Sequence, residues 1–139
     1  GTGATTITAN SVVIGSGTSA LSSVAPSTSG NVLTSTGSAW ASSAPTGQPD
    51  PTLTGVNLSV TAGTFVVATA GSITITLPSG PSAGDFVIVK DGTGAAATTS
   101  FAVARNGSNI ASAASDLTFD KNFAEITMTY INGSIGWSV

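Results

Sequence analysis

The first forty-nine residues carry no charged side chain, and their large apolar residues are few: Ile7, Val12, Val13, Ile14, Leu21, Val24, Val32, Leu33 and Trp40. Gly, Ala, Ser and Thr make up most of the rest. Fixing one residue's backbone costs roughly 1–2 kcal/mol, whereas a fully buried large apolar side chain contributes only ~1.5–3 kcal/mol. So few apolar side chains do not hold a single copy of this stretch in a fold. It is therefore either disordered or buries them against something else, and further copies of the same chain are the simplest candidate. Three copies around an axis would let one apolar row per chain meet at the centre. Small residues permit the close approach, and Ser and Thr fill the outer face.

Residues 51–139 differ sharply. They hold most of the large apolar residues and eight of the nine charges, and "APTGQPDP" separates them from the first stretch with Pro45, Pro49 and Pro51. Proline at that density disfavours helix and central strand and marks a linker. Beyond it, "SITITLP" (72–78) and "AEITMTY" (124–130) alternate apolar and polar residues, the pattern of half-buried strands. "TFVVATA" (64–70) and "GDFVIVKD" (84–91) are continuous apolar runs that fit strands covered on both faces. "SFAVARNGSNI" and "YINGSIGWSV" each pass through Asn-Gly, a dipeptide that tolerates positive φ and turns the chain. Trp137 is in phase with Ile135 and Val139, which places all three on one face. A short helical turn fits only "ASAASDL" (111–117). The pattern predicts an all-β chain: a small-residue-rich, extended fibrous segment over 1–50, then an antiparallel β-sandwich of jelly-roll type over 51–139.

Charged residues are only 6% of the 139, against about 25% in ordinary soluble domains. With three basic residues and a net charge of −3, no cationic footprint for nucleic acid exists. No apolar run approaches the ~18 residues of a membrane span, so membrane insertion is not expected. The absence of Cys removes disulfides and thiolate metal sites, and the absence of His removes the commonest general base. Gly15-Ser16-Gly17-Thr18-Ser19-Ala20 spells a dinucleotide-type glycine pattern, but no helix pattern follows and the first acid, Asp50, lies some thirty residues on, past Pro45 and Pro49. It reads as a glycine-rich turn.

The six carboxylates are Asp50, Asp85, Asp91, Asp116, Asp120 and Glu125. Asp at strand ends ordinarily accepts from nearby backbone N–H groups. Calcium held by Asp116 and Asp120, or two acids facing each other across a sugar-cleaving groove, are the chemical alternatives. No catalytic, cofactor or metal constellation is expected, and the chain reads as a non-enzyme. Trp40, Tyr130 and Trp137 are the side chains able to stack on a sugar, although the phase of Trp137 favours the core. Arg105 is the one arginine, and pairing with a nearby acid is its expected role. Loops 91–99, 105–115 and 132–134 are the candidate binding surface, with Asp91, Thr93, Arg105, Asn106, Ser108, Asn109 and Asn132 as contact residues. Val32, Leu33, Trp40 and Trp137 are the candidate packing or trimer residues.

Two stretches resemble bacteriophage fibre proteins. "APSTSGNVLTSTGSAWASSAP" is similar to a segment recurring in them, through Gly30, Asn31, Val32, Leu33, Gly37 and Trp40. The remainder resembles a β-domain of phage tail fibres and other virion proteins of marine and cyanobacterial phages. The residues concerned are Leu77-Pro78, Gly84-Asp85, Asp91 with Gly94, Arg105-Asn106-Gly107 with Ile110, and Tyr130 with Gly136-Trp137. The resemblance implies a homotrimeric, β-rich, non-enzymatic fibre protein, and the first expectation is a tail-fibre segment on the virion surface with other virion proteins and a host surface glycan as partners. A capsid decoration or head-fibre protein docked by its first segment is the alternative, and a carbohydrate-acting tailspike module is a second. Gly1 in place of Met reads as a fragment or processed product, and a chain ending just after the Trp137 strand reads as a distal tip.

Overall fold

The computed structural model describes residues 6–45 and 47–139. The chain divides into two compact units, Gly1–Gly47 and Gln48–Val139. Among the described residues every regular element is a strand, and no helix is long and apolar enough to cross a membrane.

In the first unit, β1 (Val12–Ile14) pairs antiparallel with β2 (Ser22–Val24), and β3 (Val32–Ser35) with β4 (Trp40–Ser43). Gly30 and Gly37, at φ 90° and 86°, stand at the turns that bound β3, and Trp40 lies on the return strand opposite Ser35. The Ser42 hydroxyl joins the two hairpins, donating to the Pro26 carbonyl at 2.6 Å and accepting from the Asn31 amide at 3.1 Å. None of the described residues of this unit is buried. The apolar shortage visible in the sequence thus appears as hairpins without an interior.

The second unit has one core between two sheets. Its strands are β5 (Pro51–Thr54), β6 (Leu58–Ser59), β7 (Thr64–Ala68), β8 (Thr74–Thr76), β9 (Phe86–Asp91), β10 (Phe101–Ala104), β11 (Leu117–Phe119), β12 (Glu125–Asn132) and β13 (Gly136–Ser138). The five-stranded sheet runs β13-β12-β9-β7-β5 and the four-stranded sheet β11-β10-β8-β6. Val66, Val87, Val89 and Met128 from one sheet meet Ile75, Phe101, Val103 and Phe119 from the other in one cluster. Phe101 and Phe119 stack at 4.7 Å between ring centroids.

Strand pairing corrects the expected antiparallel jelly roll. From β5 to β10 the chain alternates between the sheets, so β5–β7, β7–β9, β6–β8 and β8–β10 are all parallel. Only β11, β12 and β13 fold back antiparallel. The physical reason lies in the corners. Residues 55–57 carry the chain from β5 across to β6 in the other sheet rather than back along β5, so consecutive strands never become hairpin partners there. Asn57 pins this corner by accepting the Thr74 N–H at 2.9 Å.

Three local expectations also change. Residues 111–117 form no helical turn. Ala111 and Ser112 take φ of 47° and 66° inside a tight turn closed by reciprocal bonds between Ile110 and Ala113. Trp137 is wholly buried, but Ile135 and Val139 are exposed, because β13 spans only Gly136–Ser138. At the β12–β13 turn the positive φ falls on Gly136, at 74°, rather than on Asn132-Gly133. Asn132 turns the chain through its side chain instead, its Oδ1 accepting from the Ser134 and Ile135 N–H groups.

Candidate functional site

The residues expected to form one binding surface sit at two ends of the second unit. Asp91 ends β9 and its N–H bonds to Ala124, just before β12, whereas Asn132 closes β12. Eight strand residues at ~3.3 Å each put the two groups about 26 Å apart.

At the first end, Asp91 is a correction. Expected at a loop surface, it is fully buried. Its Oδ1 accepts from the Thr93 N–H at 2.8 Å and the Thr93 hydroxyl at 2.7 Å, and its Oδ2 from the N–H groups of Phe123 at 3.0 Å and Ala96 at 3.4 Å. Burial pushes its pKa up, but the Thr93 hydroxyl and the three backbone donors outweigh it and hold the carboxyl at about 2. The Thr93 hydroxyl in turn accepts the Ala95 N–H. This is a loop-closing knot with its acceptor capacity spent internally. Phe123, which no motif in the sequence marks, lies against Gly94 with its ring exposed.

At the second end, Asn106 and Gly107 take φ of 49° and 90° in a turn closed by Ser108 N–H to Arg105 O, as Asn-Gly predicts. The Asn106 amide donates to the Leu77 carbonyl at 2.9 Å. Asn109 ties this loop to the β12–β13 turn: its amide donates to Ser134 O at 3.0 Å, and its carbonyl accepts from Trp137 N–H at 2.8 Å. Arg105 forms no ion pair among the described residues. Its guanidinium donates to the Ser108 carbonyl at 3.4 Å, and its backbone N–H to Asp116 Oδ1 at 2.9 Å. Arg105, Asn106, Ser108, Asn109 and Asn132 therefore share one end, with Asn106 and Asn132 exposed.

Asp85 and Asp116 accept backbone N–H groups, and Glu125 and Asp120 meet lysines. Asp85 accepts the Ser82 N–H, Glu125 meets Lys90 at 3.3 Å, and Asp120 meets Lys121 at 3.8 Å. Asp116 and Asp120 belong to no cluster of three or more metal-ligating side chains among the described residues.

In the first unit, Val32, Leu33 and Trp40 are exposed, Trp40 by 49%. A cleft of about 590 Å³ lies between the hairpins, with Trp40, Ile14 and several serines on its walls. Trp137, by contrast, packs edge-on to Tyr130 at 5.6 Å inside the second unit. The two tryptophans thus do different work: one closes a core, the other stands in the open. Compared with protein-family models and with curated proteins, the chain matches none.

Proposed function

We propose that this chain is a structural protein of a bacteriophage particle, a segment of a trimeric tail fibre acting in host attachment. One observation carries the reading: the first unit forms defined hairpins whose apolar side chains, Val12, Val13, Val32, Leu33 and Trp40, stand 43–49% exposed. Such hairpins need neighbours, and identical neighbours around a threefold axis supply them with no other partner. The nearly uncharged, Ser- and Thr-rich composition supports a role on the outside of a particle. The internal use of Asp91, Asp85 and Asp116 supports a scaffold rather than a catalyst. The end bearing Asn106 and Asn132 is the surface best suited to a host glycan, since it presents exposed amides on turns that the core holds in place.

An antiserum against the recombinant chain should decorate fibres on phage particles that carry it, and light scattering should return about three times the 13.4 kDa chain mass. Particles free of the chain, or a monomer at every concentration, would refute the reading.

A further inference from the structure

The chain spells Asn-Gly-Ser twice, at 106–108 and 132–134. Asparagine followed by glycine is the pair most prone to attack its own side chain. The glycine nitrogen closes a five-membered ring on the asparagine Cγ, and no Cβ on the glycine stands in the way. Local sequence gives both sites the same chemistry, so a difference between them comes from the fold. Asn106, Gly107, Asn132 and Gly133 are all exposed to water.

The fold holds the two carboxamides in opposite ways. The Asn106 amide nitrogen donates to the Leu77 carbonyl at 2.9 Å, which ties the side chain across to the segment after β8 and keeps the leaving nitrogen engaged. At Asn132 the nitrogen is the free end. Its Nδ2 has no hydrogen bond among the described residues, while Oδ1 accepts from the Ser134 N–H at 2.9 Å and the Ile135 N–H at 2.8 Å. Those bonds fold the carboxamide forward over the peptide that links it to Gly133. The Gly133 N–H has no backbone acceptor among the described residues, and the space beside Gly133 is open. Attack on Cγ moves negative charge onto Oδ1, where two N–H donors already point at distances suited to an oxyanion. The Asn106 Oδ1 receives no such donors among the described residues.

We infer that Asn132 is a site of self-modification, converted through a cyclic imide to aspartate and isoaspartate while Asn106 is spared. The Gly133 nitrogen gives its proton to solvent base and forms a bond to Cγ. The Cγ–Nδ2 bond breaks, and the nitrogen leaves as ammonia after taking a proton from water. A second water then adds across either C–N bond of the ring. Opening at Cγ gives aspartate; opening at the backbone carbonyl gives isoaspartate. Water is the only co-reactant. Both products put a carboxylate at the end that carries Arg105 and Asn106, in a chain whose net charge is already −3. Isoaspartate also lengthens the main chain of the β12–β13 turn by one carbon. The inference stands apart from the fibre reading, since it uses only the atoms of this turn.

The test incubates the full chain at mildly alkaline pH, folded and in guanidinium, and follows both sites by mass spectrometry of tryptic peptides. Cleavage after Arg105 and Lys121 puts Asn106 and Asn132 on separate peptides. Each conversion adds one mass unit, and enzymatic methylation counts the isoaspartate. In guanidinium the two sites should convert at similar rates. In the folded chain Asn132 should lead Asn106 by about tenfold or more. Gly133→Ala, which the open space beside Gly133 accommodates, should slow conversion at Asn132 and leave Asn106 unchanged, with circular dichroism as the control for folding. Equal rates at the two sites in the folded chain would overturn the inference. So would an Asn132 that resists conversion when folded, or one that Gly133→Ala does not slow. None of these results bears on the fibre reading.

Discussion

Replacing Asp91 with Asn tests the claim that this carboxylate is a structural knot. Asparagine keeps one oxygen for the Thr93 N–H and hydroxyl. It places an NH2 group where Oδ2 accepts from Phe123 and Ala96 at 3.0 and 3.4 Å, setting donor against donor. A charge-assisted hydrogen bond contributes about 1.5–3 kcal/mol, and a buried donor left without a partner costs about 1–3 kcal/mol. Since the Thr93 bonds survive in weaker, neutral form, the expected loss is about 3 kcal/mol. For a domain of this size that is a fall of about 12–24 °C in melting temperature. The pH dependence supplies a second reading. The folded carboxyl titrates at about 2, below the ordinary 3.8. Its stabilisation is thus complete above about 3.8 and fades as pH falls toward 2, because the unfolded chain takes up the proton first. Urea titrations of both proteins from neutral pH to pH 2 measure this directly. Wild type should lose stability through that window, and Asp91→Asn should lose less. A neutral-pH difference under about 1 kcal/mol, or two acid limbs falling in parallel, would refute the reasoning.

Gly136→Ala should destabilise the second unit by about 3 kcal/mol: its φ is +74° and the added Cβ would collide with the Asn109 carbonyl, which receives the Trp137 N–H. A melt within a few degrees of wild type would contradict that. Ala111→Asn with Ser112→Gly should raise stability by about 1 kcal/mol, because both positions hold positive φ in a two-residue turn that Asn-Gly fits better; unchanged or lower stability in urea would contradict it. With Trp137→Phe leaving Trp40 as the sole tryptophan, its emission should shift to the blue as the protein associates. Constant, water-like emission in an assembled sample would contradict burial of the hairpins between copies.

Strand positions were legible because side-chain alternation has a period of two residues, and "SITITLP" and "AEITMTY" record which side faces the core. Alternation carries no information about the neighbouring strand, so the parallel pairing of β5 through β10 was not readable. The continuous runs of β7 and β9 held the clue, since two apolar faces are the mark of parallel strands. Gly30, Gly37 and Asn106-Gly107 were readable as turns because their backbone conformation favours these residues. Ala111 and Ser112 were not, because nothing in their side chains asks for positive φ; the bonds from Ala111 to Trp137 and from Ser112 to Ile135 hold them there. The strand-end position of Asp91 pointed to the backbone N–H groups it accepts from, as for Asp85. Its burial was not readable, because the Phe123 N–H that bonds to Oδ2 comes from a distant segment of the chain.

The first and last strands of the second unit, β5 and β13, occupy opposite edges of the same sheet. Tension applied along the chain therefore runs across the ladder rather than along it. The load meets the hydrogen bonds one edge strand at a time, as in opening a zipper. Peeling β5 frees β6, the edge of the other sheet, because the chain visits the two sheets alternately. An isolated copy of this unit yields by unwinding from its first strand.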